Sequence, residues 1–151
     1  MSTVYTEITL RNAIDAANAE TGIIKEQEIR QTTLHALVDT GAWTLVINEA
    51  IRKKLGLRVT RTDSGTLADG TRGSYSMAGP LEVLWKDRGT ICEALVIPHA
   101  DEILLGAIPL EAMDLIVNPR KEEVVGAHGD QPLHSVKRYS GNREQALLPD
   151  C

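Results

Sequence analysis

The stretch Leu34-His35-Ala36-Leu37-Val38-Asp39-Thr40-Gly41-Ala42 decides the fold. Its apolar residues predict a buried strand over residues 29–38 that ends directly before the carboxylate of Asp39. Gly41 follows two positions later and permits a tight turn. An acid at the end of an apolar strand costs free energy unless its charge is used or satisfied, so Asp39 is the first candidate for chemistry.

The rest of the chain is predicted to be mainly β, with one or two short helices. Asn48 predicts the start of a helix over residues 49–55, which Gly56 ends, and Pro109 predicts a short helix over 109–113. A helical turn at 13–19 is an alternative to a plain connection. Strands are predicted at residues 3–10, 44–47, 57–60, 75–85, 90–97, 115–117 and 124–125, with turns at 63–65, 68–70 and 86–89.

Composition limits the possible partners. The 151 residues carry a net charge of −5 and only 3% aromatic residues, which argues against nucleic acid as a partner. Two cysteines do not make a disulfide framework, and the four histidines lack metal-ligand spacing. A polar start and the lack of a long apolar run predict a cytoplasmic protein with no membrane contact. Residues 1–125 are predicted to form one domain, followed by a polar tail at 126–151.

Three motifs in this order resemble the retroviral-type (retropepsin-like) aspartic proteases, a family with soluble cellular and bacterial members. They are Leu37–Ala42, Thr66–Thr71 and Ile103–Gly106 with the helix that follows. The resemblance implies a closed β barrel with one catalytic Asp per subunit, active as a homodimer. It also implies an endopeptidase that hydrolyses peptide or protein substrates and needs no cofactor.

The chemistry requires two acids that share one proton, because two carboxylates about 3 Å apart cannot both be ionised. The chain offers one acid in the required setting, so the second Asp39 must come from a two-fold related copy. In the family, the residue at Thr40 supports the loop across the two-fold axis, and the backbone at Gly41 receives substrate. The predicted catalytic set is therefore Asp39, Thr40 and Gly41.

Substrate contacts are also implied by the resemblance. Residues 67–73 fall where the family's flap folds over a bound peptide. The predicted substrate-binding residues are Ala42, Ala68, Asp69, Gly70, Thr71 and Leu104.

Several alternatives remain open at this point. Asp39–Gly41 is an ordinary turn in the simplest interpretation, and the flap is a plain exposed hairpin. Asp63-Ser64-Gly65 resembles a second catalytic triplet, but its polar flanks favour a turn. A second interpretation is a peptide-binding module, which has the same dimeric fold but no peptidase activity. In a third interpretation, the protein becomes active only after the tail at 126–151 is removed.

Two residues depart from the viral pattern. Trp43 stands where viral enzymes usually have Asp, and Ala107 where they usually have Arg. Trp43 and Trp85 are interpreted as core or interface anchors, and Cys92 as a small buried residue.

Overall fold

The strand that carries Asp39 lies within a sheet that turns back on itself, as seen in a computed structural model that describes residues 3–66 and 69–129. The described elements are β1 (Tyr5–Asn12), α1 (Ala13–Glu20), a 3₁₀ turn (Glu26–Glu28), β2 (Gln31–Val38), β3 (Leu45–Ile47), α2 (Glu49–Lys54), β4 (Arg58–Thr66), β5 (Arg72–Trp85), β6 (Arg88–Val96), β7 (Leu104–Leu105), α3 (Ala107–Ala112), β8 (Leu115–Asn118) and β9 (Glu123–Gly126). The mainly β prediction is confirmed. Three short α-helices occur in this part of the chain, one more than predicted.

The main sheet has the strand order β1-β2-β7-β3-β6-β5-β4. A further pairing of β1 with β5 joins the first strand to the sixth, so the sheet forms a ring with β4 outside it. β2 and β7 run parallel, as do β3 and β6. In this order, the two-residue strand β7 lies between β2, which ends directly before Asp39, and β3.

Aliphatic side chains fill the ring, as expected for a chain without Phe. Burial of these side chains is the largest stabilising contribution to the fold. Side chains with no exposed surface include Leu10, Ala36, Leu45, Ile47, Leu81, Val83 and Leu105.

Local capping signals explain the helices. The Asn48 side chain accepts a hydrogen bond from the Ile51 amide at 2.9 Å, which confirms the predicted start of α2. The helix ends at Lys54, one residue before the predicted end, and Gly56 takes φ +62 after the last turn. Asn12 caps α1 in the same way through the Asp15 amide at 3.0 Å. The helical alternative for residues 13–19 is therefore the one observed.

Two predicted turns are corrected. Residues 63–65 lie inside β4, where Asp63 pairs with Tyr75 and Gly65 with Gly73. The turn predicted at 86–89 is shorter, because Arg88 already belongs to β6 and pairs with Trp85.

Arg88 is buried and joins the main sheet to the hairpin of β8 and β9. Its guanidinium donates to the carbonyls of Met113 at 3.1 Å, Asp114 at 2.9 Å and Gly129 at 2.9 Å. Gly129 lies beyond the predicted boundary at residue 125, and that boundary stays a prediction. Residues 130–151 lie outside the described part of the chain.

Within residues 3–66 and 69–129, no helix has the length and apolar character needed to cross a membrane.

Candidate active site

Backbone hydrogen bonds to the segment around β7 fix the position of Asp39. The Leu37 amide donates to the Ile103 carbonyl at 2.8 Å, and the Asp39 amide donates to the Leu105 carbonyl at 3.0 Å. Asp39 thus continues the parallel ladder by one residue beyond β2. Its half-buried side chain is held at the end of the sheet rather than on a freely moving loop.

We call residues 39–44 the Asp39 loop. The Asp39 carboxylate accepts a hydrogen bond from the Gly41 amide through Oδ1 at 2.9 Å, and the Asp39 carbonyl accepts one from the Ala42 amide at 3.1 Å. Thr40 and Gly41 are exposed at the outer bend of the loop. This geometry turns the chain sharply, and in the described part of the chain the second carboxylate oxygen accepts no hydrogen bond.

The first turn of α3 braces the loop from behind. The Ala107 amide donates to the Ala42 carbonyl at 2.8 Å, and the Ile108 amide donates to the Trp43 carbonyl at 2.9 Å. Amides at a helix start have no partner within the helix, so the loop carbonyls satisfy donors that would otherwise be unpaired. The contact joins the two motifs that the sequence singled out.

Gly106 makes this close approach possible. A Cβ atom placed on Gly106 would lie 2.2 Å from the Thr44 carbonyl oxygen and 2.6 Å from that of Ala42. Its φ of −93° is open to any residue, so the reason for glycine here is space and not backbone conformation. The sequence contained this signal as the glycine that follows Leu105, but it did not reveal which atoms approach it.

Leu104, a predicted substrate-binding residue, pairs with Leu37 on one side and with Val46 on the other. Its half-buried side chain packs against the apolar cluster of Val46, Met77 and Leu95. The ladder brings Leu104 and the loop residue Ala42 to the same end of the sheet as Asp39. Their contact with substrate stays a prediction.

The long hairpin of β4 and β5 carries the predicted flap. We call its described residues Asp69–Thr71 the hairpin tip; Ala68 lies outside the described residues. Asp69 Oδ1 accepts hydrogen bonds from the Thr71 hydroxyl at 2.5 Å and the Thr71 amide at 2.9 Å, and these donors hold the pKa of Asp69 below its usual value. Gly70 has φ +88. Among the described residues, no hydrogen bond joins the tip to the Asp39 loop.

The surroundings of Asp63 and Cys92 do not favour a catalytic role for either residue. Asp63 lies inside β4, a strand with no buried residue, and forms an ion pair with Arg61 at 3.6 Å. Burial raises the pKa of the Cys92 thiol to about 11, which opposes formation of a nucleophilic thiolate. Across the described ranges, no group of three or more His, Cys, Asp or Glu side chains could hold a metal ion.

Comparison with known proteins agrees with this geometry. A profile described as "Aspartyl protease" matches residues 26–129, which include the Asp39 loop, the hairpin and the Gly106 segment. The chain belongs to this aspartyl protease family of the retropepsin-like clan. A search of curated proteins found no match to the chain. Membership in the family supports hydrolysis of peptide bonds, whereas the roles of individual residues stay predictions.

Proposed function

We propose that the chain is an aspartic endopeptidase in which two copies each contribute Asp39 to one active site. The observation that carries the proposal is the loop itself. Asp39 directly follows β2, its amide donates to the Leu105 carbonyl, and within residues 3–66 and 69–129 no hydrogen bond occupies its second carboxylate oxygen. The family match adds the class of reaction.

The reaction needs one Asp39 as a carboxylate and the other as a carboxylic acid. The carboxylate accepts a proton from water as the water oxygen bonds to the peptide carbonyl carbon. The acid donates its proton to the carbonyl oxygen, which gives a tetrahedral diol. The C–N bond then breaks while the nitrogen takes up the proton of one Asp39 and a diol hydroxyl gives its proton to the other. This leaves a carboxyl group, an amine and a dyad that again holds one proton.

The Asp39→Asn substitution tests the chemistry. Asparagine has a similar shape but cannot share the proton, so cleavage of a denatured protein or peptide library at pH 4–7 should fall by about 10²–10⁴-fold. Asp63→Asn is the matched control, since Asp63 lies on β4, and it should retain activity. Equal cleavage by Asp39→Asn and wild type would refute the proposal. If neither cleaves under any condition, before or after trimming of the tail, the fold is better interpreted as a peptide-binding module.

A mixing experiment tests whether the site is shared. Asp39→Asn and wild-type protein are mixed in equal amounts at fixed total concentration and left to exchange subunits. If each site needs two Asp39 residues, random pairing leaves activity at about a quarter of the wild-type value, whereas independent sites would leave about half. A result of one half would refute the shared dyad.

A further inference from the structure

Two large apolar side chains are exposed where the Asp39 loop meets the start of α3. Trp43 exposes 46% of its surface and Ile108 exposes 47%, whereas Trp85 exposes only 6%. The hydrogen bond from the Ile108 amide to the Trp43 carbonyl, 2.9 Å long, makes the two residues neighbours. We call them the apolar pair. An exposed tryptophan next to a second exposed apolar residue is typical of an interaction surface.

The backbone beneath the apolar pair is firmly held. The Thr44 hydroxyl, one residue after Trp43, donates to the Glu93 carbonyl at 3.0 Å. Pro109 and Leu110 of α3 are buried directly after Ile108. A surface presented from a fixed backbone loses little conformational entropy when a partner covers it.

We propose that the apolar pair packs against a second copy of this chain and anchors the association that brings two Asp39 residues together. The inference rests on the proposed function, because that function requires the two Asp39 carboxyl groups to share a proton. Trp43 lies four residues from Asp39, so its Cα is within about 14 Å of that of Asp39 even in a fully extended chain. A stable interface buries about 800 Å² on each partner, a disc of roughly 16 Å radius. An interface of ordinary size centred on Asp39 therefore reaches Trp43.

The charge pattern around the pair favours a second copy as the occupant. Residues 40–47 and residues 103–110 contain no charged side chain. Each copy has a net charge of −5, so two copies repel each other overall. A contact through these segments buries apolar surface without bringing like charges together, and a two-fold interface pairs the same patch from both copies.

Sedimentation velocity over a range of concentrations tests the inference on the full chain. Trp43→Arg and Ile108→Glu should each weaken self-association at least about 30-fold, the effect of losing a central anchor, while Trp43→Phe should weaken it less. Ile91→Glu is the matched control, because Ile91 exposes 63% of its surface on β6 and should leave association unchanged. Circular dichroism checks that each variant is folded.

Tryptophan fluorescence gives an independent measurement. Since Trp85 is already buried, a blue shift of emission as protein concentration rises reports burial of Trp43. The shift should be absent in Trp43→Phe. High protein concentration should also restore the cleavage activity of Trp43→Arg by mass action, since the residue acts through association.

The outcomes separate this inference from the proposed function. Loss of self-association in Trp43→Arg supports the inference even if Asp39-dependent cleavage is never found, and that second result would refute only the function. A Trp43→Arg variant that still dimerises overturns the inference, and a raised KM in that dimer would assign the pair to substrate binding instead. A wild-type chain that stays monomeric overturns both.

Discussion

The Asp39 loop and the hairpin tip are both short turns that contain glycine, but the structure holds them in opposite ways. The loop is joined to β7 and α3 by the amides of Asp39, Ala107 and Ile108. The described residues of the tip are held by hydrogen bonds between Asp69 and Thr71. The glycines of the two regions also differ in how much space surrounds them.

A Cβ atom placed on Gly106 would lie 2.2 Å from the Thr44 carbonyl oxygen, whereas a Cβ on Gly70 or Gly73 would meet nothing within 4 Å. The comparison indicates an Asp39 loop held by other elements and a hairpin tip whose described hydrogen bonds are local. A proteolytic site needs its acids held in place, and a cover over the substrate needs freedom to open.

Hydrogen exchange should show the largest difference between the two regions. Amides held in the sheet exchange only when a large part of the structure opens, whereas amides of an exposed tip exchange by local motion. We expect the Gly70 and Thr71 amides to exchange at least about 10³-fold faster than the Asp39 and Ala107 amides. Exchange monitored by NMR measures this directly, and similar rates in both regions would contradict the comparison.

Gly106→Ala should break the rigid region. The added methyl group would meet the carbonyl oxygens of Thr44 and Ala42, which belong to backbone and cannot rotate away. We expect a loss of about 1–3 kcal/mol in the free energy of unfolding. Displacement of the Asp39 loop by about 1 Å should lower cleavage by about 10²-fold.

Gly73→Ala is the matched control for that substitution, since its Cβ meets open space and its φ is not positive. The free energy of unfolding should stay close to wild type, because the added methyl group meets no other atom within 4 Å. If Gly106→Ala were as harmless as Gly73→Ala, the loop would not depend on the close approach of α3.

The sequence was sufficient wherever the deciding signal is local. The strand before Asp39 and the helix between Asn48 and Gly56 are predicted from apolar patterning and caps. The expected burial of that strand is wrong, because Ala36 is its one buried residue. The polar stretch at residues 63–65 was predicted wrongly because pairing with β5 outweighs turn propensity. Gly65 packs against the Tyr75 ring, with its Cβ position 3.1 Å from that side chain. Glycine at position 65 therefore leaves space for the Tyr75 ring within the sheet and does not form a turn.

The non-local contacts could not be predicted from the sequence. Nothing in the composition of β1 shows that it pairs with both β2 and β5. Arg88 was placed in a turn, although it is buried and binds three backbone carbonyls. Every residue has a backbone carbonyl, so residue types do not show which carbonyls will bind an arginine side chain. For the same reason, the sequence shows Gly106 as part of the third motif but does not show its contact with the Asp39 loop.

Substitution of Asp69 at the hairpin tip should have the smallest effect on cleavage. Asp69→Ala removes the acceptor for Thr71 and should raise KM several-fold, less than about tenfold, by loosening the tip. Asp69→Asn keeps an oxygen acceptor and should stay near wild type. A loss of 10²-fold or more in both variants would instead identify Asp69 as a catalytic acid, in conflict with the proposed pair of Asp39 residues.

The pH dependence of the tip follows from the lowered pKa of Asp69. A carboxyl group whose pKa falls on folding stabilises the folded turn above its usual pKa, and that stabilisation is lost as pH decreases through the lowered value. The Thr71 amide signal in NMR should therefore be constant at neutral pH and move in the acid range, with its midpoint below the usual pKa of Asp. In Asp69→Asn this movement should disappear, because the amide side chain has no proton to gain. A Thr71 signal that moved near pH 6 in wild type would mean that a group other than Asp69 controls the turn.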